Sequence, residues 1–85
     1  MKNPHWFNEL IEAFLINKTG EQMKDFLYGI LTPKEIDQLS TRLQIVRMLK
    51  KGIPQQKISE YLNVGVATVT RGSRELRNQR FQNIW

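Results

Sequence analysis

Gln55-Gln56-Lys57-Ile58-Ser59-Glu60-Tyr61-Leu62-Asn63-Val64-Gly65-Val66-Ala67-Thr68-Val69-Thr70-Arg71-Gly72-Ser73 is the stretch on which the reading of this chain turns. Pro54 opens a short helix that runs through Leu62, with Ile58 and Leu62 on its inner side. Asn63-Val64-Gly65 then makes a tight connection, because Asn and Gly tolerate left-handed backbone angles and Val64 can tuck inward. A further helix starts at about Val66 and continues into an Arg-rich stretch. The β-branched run Val66-Ala67-Thr68-Val69-Thr70 also suits a strand, but it has no second strand to pair with. Two short helices joined by a tight turn, the second led by small side chains, form a helix-turn-helix pattern.

The physical logic of that pattern is direct. A helix fits the DNA major groove and meets base edges with its N-terminal residues. Here those residues are Val66, Ala67, Thr68 and Thr70. Their methyl groups suit thymine methyls, and the Thr hydroxyls suit bases or phosphates. Arg74 and Arg77 lie one and two turns further along, placed for phosphates. Gln55 and Gln56 stand at the positive end of the preceding helix, beside the DNA backbone. Two amphipathic helices with a Gly turn also occur in plain helical cores, so the charge distribution has to be weighed with the pattern.

Across its 85 residues the chain has 13 Lys and Arg against 8 Asp and Glu. Residues 1–49 hold six basic and six acidic side chains, so the whole excess of +5 falls in residues 50–85. A neutral half followed by a basic half predicts an assembly part and an anion-binding part. A solvated basic surface is the bland alternative. The chain has no Cys and one His, His5, which excludes a disulfide framework and an ordinary zinc site and fits a reducing cytosol. At this length one hydrophobic core is barely enough, so sharing a core between two chains is the remaining remedy. No apolar run approaches membrane-spanning length, and the start is too polar for a signal peptide.

Upstream, every segment reads as helix. Trp6, Phe7, Leu10, Ile11, Phe14 and Leu15 form one apolar face, ended by Asn17-Lys18-Thr19-Gly20. Thr19 with Gln22 is a capping-box pattern, followed by Met23, Phe26, Leu27 and Ile30 at helical spacing. Thr32-Pro33-Lys34-Glu35 is the clearest start signal, opening a third and longest helix through Ile36, Leu39, Leu43, Val46 and Leu49 to about Lys51. Gly52 suits its C-terminal cap, with Lys50 and Lys51 at the negative end of the dipole. The expected organisation is one all-α domain over 1–85: a dimerisation part over 1–51, the helix-turn-helix over 54–77 and a tail over 78–85.

Two arginines stand apart from the solvated charges. Arg42 lies on the line Gln38-Arg42-Ile45-Leu49, against the apolar face, and is expected to be half-buried and to want an anion. Arg71 precedes Gly72-Ser73, and a mid-helix Gly costs about 1 kcal/mol against Ala. That cost makes sense if something must lie against bare backbone. One reading is a small anionic ligand held between two arginines. The other pairs Arg42 with Glu35 or another acid, places Arg71 on phosphate and lets Gly72 loosen or cap the helix.

Leu31-Thr32-Pro33-x-Glu35, Thr41-Arg42-x-x-Ile45-Val46 and Gly65-Val66-Ala67-Thr68-Val69-Thr70-Arg71-Gly72-Ser73 closely resemble the tryptophan repressor family, over roughly Trp6 to Arg77. The resemblance implies an all-helical, intertwined homodimer that binds operator DNA with L-tryptophan as corepressor; this family is itself a standing example of helix-turn-helix docking and of water-mediated readout. By the same resemblance, Arg42 matches the arginine that holds the ligand carboxylate. Arg71 matches the one that stacks on the indole, and Gly72 the glycine beside the ligand. Thr32, with the backbone near Gly29 and Leu31, matches the rim that the other subunit supplies to the ammonium group. Val66, Ala67, Thr68 and Thr70 match the start of the recognition helix, and Gln55 and Gln56 the polar residues that approach DNA from the helix before it.

Three departures accompany the match. Glu75 stands where the family has a serine that touches the ligand ammonium; a carboxylate there can pair with the ammonium or salt-bridge Arg42 or Arg71. The link Gly52-Ile53-Pro54 is one residue shorter than in the best-known member, and Phe81-Gln82-Asn83-Ile84-Trp85 replaces a longer final helix. No nucleophile–base pair, phosphate loop or carboxylate dyad is visible, so no catalysis, metal or cofactor is expected. The chain therefore reads as a cytoplasmic, DNA-binding homodimeric repressor with a small amino-acid ligand and no membrane partner. The alternatives are a regulator of the same fold with another effector or none, and a helical dimerisation module without nucleic acid.

Overall fold

A computed structural model describes residues 2–85. Among these residues there are five α-helices and no strand: α1 (Pro4–Ile16), α2 (Gly20–Ile30), α3 (Pro33–Lys50), α4 (Gln55–Leu62) and α5 (Val66–Arg77). The all-α expectation holds, and the β-branched run 66–70 is helical because its Val69 is drawn into a helical core. None of these helices is long and apolar enough to cross a membrane. The chain divides into two compact units, one ending at Ile36 and the other Asp37–Trp85.

The first unit is built from capped amphipathic helices. Asn3 starts α1, its side chain accepting from the backbone N–H groups of His5 and Trp6, with Pro4 at the first helical position. Thr19 starts α2, accepting from the Gln22 N–H at 3.1 Å. The Gln22 side chain reaches Lys18 N–H at 2.8 Å, one residue further back than a capping box would place it. Phe14 of α1 and Phe26 of α2 meet edge to face, ring centroids 5.3 Å apart. No residue of either helix is buried: Trp6 remains 60% exposed and Ile16 70%.

Thr32 and Glu35 close a full capping box at the start of α3. The Glu35 N–H donates to the Thr32 hydroxyl at 3.2 Å, and the Thr32 N–H donates to the Glu35 carboxylate at 2.9 Å. The Thr32 backbone N–H foremost, and the Thr32 side chain after it, hold the Glu35 carboxyl below its ordinary pKa. At the other end Gly52 takes φ +82°, its N–H donates to Leu49 O, and the Ile53 N–H donates to Met48 O. That is a Schellman termination, and the left-handed angle is why Gly occupies the position.

In the second unit the core draws one fully buried side chain from each of three helices: Ile45 of α3, Ile58 of α4 and Val69 of α5. Met48, Leu49, Ile53, Leu62 and Val64 pack around them. Each such burial contributes roughly 1.5–3 kcal/mol, so this is a small core. Pro54 proves to be the N-cap rather than the first residue of α4, extended at φ −61°, ψ 145°. The left-handed turn that follows α4 falls on Asn63 alone (φ 55°, ψ 50°); Gly65 is extended and caps α5. Ser59 fastens this turn, its hydroxyl donating to Val64 O at 2.6 Å while its carbonyl accepts the Val64 N–H.

Candidate functional site

A cavity of about 330 Å³ opens between α3 and α5. Buried Ile45 and Val46 supply its apolar floor, and Arg42, Arg71 and Glu75 supply its charged groups. Gly72, the start of α5 at Ala67 and Thr68, and Phe81 complete the lining. The size is sufficient for a small organic ligand. The helical register explains the gathering: Ala67, Thr68, Arg71, Gly72 and Glu75 recur at three- and four-residue spacing on one face of α5.

The structure thus brings together four of the residues singled out for ligand binding: Arg42, Arg71, Gly72 and Glu75. Gly29, Leu31 and Thr32 lie in the first unit and are not among its lining. Arg42 is exposed rather than half-buried, because its side chain leaves the apolar face toward the open cavity. It pairs with no acid: Glu35 is committed to Thr32, and the salt bridges among the described residues are His5–Glu9 and Glu75–Arg80. Glu75 accordingly pairs with neither Arg42 nor Arg71; Arg80 reaches it at 3.8 Å. His5 stays exposed beside Glu9.

Gly72 has a double role. A Cβ there would stand 3.1 Å from Ile45 Cγ2 and 3.4 Å from Leu49 Cδ1, so its bare backbone lets α5 press against α3. The same bareness faces the cavity. The residue does not cap the helix, since it sits within α5.

The residues singled out for DNA are spread over α4 and α5, and two of them, Ala67 and Thr68, also line the cavity. Val66, Ala67, Thr68, Arg74, Arg77 and Gln56 are exposed. Gln55 and Thr70 are partly buried and bonded to one another, the Thr70 hydroxyl donating to the Gln55 amide oxygen at 2.9 Å. This bond ties the start of α4 to α5 and leaves the Gln55 amide N–H groups free to donate. Arg77 is steadied by Ser73, whose hydroxyl accepts from Nη1 at 3.0 Å. Residues that sequence reasoning did not assign to the site are Ile45, Val46 and Phe81. Ile45 and Val46 carried a signal, standing one turn from Arg42. Phe81 carried none, since its position depends on the path of the chain after α5.

A protein-family model described as Trp repressor protein matches residues 5–83. A Trp operon repressor homolog of Mannheimia succiniciproducens is 40% identical over 77 residues, covering 89% of this chain and 76% of the relative. One from Photobacterium profundum is 46% identical over 68 residues, covering 76% and 66%. Another, from Vibrio vulnificus, is 51% identical over 66 residues, covering 74% and 65%. Comparison with solved structures finds no match.

Proposed function

Because the chain belongs to the Trp repressor family, whose members are regulators and not enzymes, we propose that it is a homodimeric repressor that binds operator DNA in the cytoplasm and is activated by L-tryptophan. The observation that carries this reading is the sharing of Ala67 and Thr68 between the cavity wall and the first turn of α5. A ligand in the cavity touches the end of the helix that reads DNA.

Each group has a chemical part in the proposal. The Arg42 guanidinium, free of any protein carboxylate, takes the ligand carboxylate in a charge-assisted pair. Arg71 and Gly72 lie along the indole, over the floor of Ile45 and Val46. Glu75 and the rim formed by Gly29, Leu31 and Thr32 of a second copy receive the ammonium group. Val66, Ala67, Thr68 and Thr70 face base edges, while Gln55, Gln56, Arg74 and Arg77 face phosphates. In this organisation residues 1–51 dimerise, 54–77 read DNA and 78–85 form the tail. The apolar side chains that α1 and α2 leave exposed are the surface a second copy covers.

The mechanism is a population shift. The ligand wedges beside α5 and favours the orientation in which two copies enter successive major grooves, about 34 Å apart. A ligand that bound every orientation equally would change nothing. Operator affinity measured with and without L-tryptophan at fixed salt tests the reading: affinity rises with ligand. Equal affinities with clear DNA binding favour the second reading, a regulator with another effector or none, for which Glu75 in the cavity wall is the specific observation. No salt-dependent DNA binding at all would leave only a dimerisation module.

A further inference from the structure

Beyond α5 the chain does not continue as a helix. The Arg80 N–H returns to Glu75 O and the Gln79 N–H to Leu76 O, and Gln79 and Phe81 take φ of 65° and 63°. Left-handed angles at two non-glycine residues persist only where the surroundings over-determine them. Here α3 supplies the restraints. Lys50 Nζ donates to the carbonyls of both Phe81 and Ile84. The Arg47 guanidinium lies over the Trp85 ring, 4.8 Å from its centroid. Arg47 Nε is buried with no hydrogen-bond partner, so the ring face is the interaction this guanidinium has gained.

These restraints lead to one place: Phe81 forms part of the cavity wall. Phe81 is 39% exposed, and the cavity keeps about 330 Å³ with that residue in position. Phe81 is therefore a wall and not a plug, with uncovered surface for a ligand to cover. Two flat groups, the Phe81 ring and the Arg71 guanidinium, line the same space.

We propose that the C-terminal tail is a strap for the effector cavity, in which Phe81 is a ligand-contact residue that selects a flat aromatic side chain while Lys50, Arg47 and Trp85 hold it in place. The proposal rests on the reading that the cavity takes an aromatic amino acid. Ring-to-ring contact adds to apolar burial, and losing both weakens binding by about tenfold. Trp85 is a positioning residue, since it touches Arg47 and not the cavity.

Titration calorimetry of L-tryptophan into the full chain and three variants tests it. Phe81→Ala and a chain ending at Arg77 are each expected to bind about tenfold more weakly than the parent chain. Trp85→Ala is expected to lose a smaller part, and its carboxyl-terminal residues to be released faster by carboxypeptidase whether or not ligand is present. In the parent chain L-tryptophan slows that release. Circular dichroism establishes that each variant remains helical. If the parent binds and Phe81→Ala and the shortened chain bind equally well, the strap is overturned and the effector reading stands. Tighter binding by either variant would make the tail a competitor and overturn the strap as well. No heat in the parent at millimolar ligand overturns the effector reading and the strap with it.

Discussion

Arg42 and Gly72 show how far single residues carry the argument. Arg42 keeps no acid partner: Glu35 of its own helix is spent on capping, and Glu75 across the cavity pairs with Arg80. An unpaired guanidinium on a cavity wall is placed to take an anion. Arg42→Ala is expected to abolish calorimetric binding of L-tryptophan while leaving the helical content intact; persisting heat would remove Arg42 from the site. Calorimetry suits this chain because Trp6 and Trp85 would obscure a fluorescence signal. At Gly72 two effects oppose. An Ala there gains about 1 kcal/mol of helix propensity, but its methyl meets the stiff, buried Ile45 side chain at 3.1 Å. Overpacking of this kind costs about 1–3 kcal/mol, so Gly72→Ala is expected to lower the melting temperature. A rise would show that α5 can draw back from α3.

At the scale of elements, caps and turns decide where helices begin and how they meet. The Thr32–Glu35 box makes α3 sensitive to acid. A carboxyl whose native pKa is depressed stabilises the fold fully above the ordinary Glu value of about 4.3, and that support is lost as pH falls through the native pKa. Thermal melts of Glu35→Gln, which removes the charge from the box, are expected to show a deficit against the parent at neutral pH that narrows as pH falls and the parent carboxylate is protonated. A deficit that stayed the same at every pH would mean the Glu35 charge contributes nothing. The tie between Gln55 and Thr70 belongs to the same scale. A double-mutant cycle on Gln55→Ala and Thr70→Ala is expected to give a stability coupling of about 0.5–1.5 kcal/mol, and additivity would mean the bond is not maintained in solution. These devices were legible to different degrees. Thr32-Pro33-Lys34-Glu35 and Gly52 announced both ends of α3, because the capping chemistry is local. Asn63, not Gly65, took the left-handed turn, since both residues permit it and only the packing of Val64 and the Ser59 bond choose between them.

For the whole molecule, charge and uncovered apolar surface pull in one direction. The excess charge of residues 50–85 reappears as exposed Arg74 and Arg77 on α5, while α1 and α2 bury none of their apolar residues within the chain. A homodimer presenting both arginines from each copy makes at least four phosphate contacts. The slope of log K against log salt is then expected to be about −3.6 or steeper. Arg74→Ala should make it shallower by about 1.8 for the dimer, with little change in preference among DNA sequences. Sedimentation equilibrium should give twice the chain mass of 10.1 kDa, and a monomer at micromolar concentration would count against the shared core.

Much of this protein was determined by sequence alone. Helical periods, caps and the small-residue start of α5 are local features, encoded within a few residues of where they act. The order of five helices follows from them, whereas Arg42 and Arg71 stood out with two readings open and took ligand roles only through the family resemblance. What only the tertiary structure decided depends on residues far apart in the chain. Gly72 needs Ile45 to explain it, and Gln55 finds Thr70 fifteen positions away. Phe81 reaches the cavity because Lys50 and Arg47 hold a tail thirty and more residues downstream. No periodicity records such meetings, because they are fixed by how helices pack and where a chain is made to turn back.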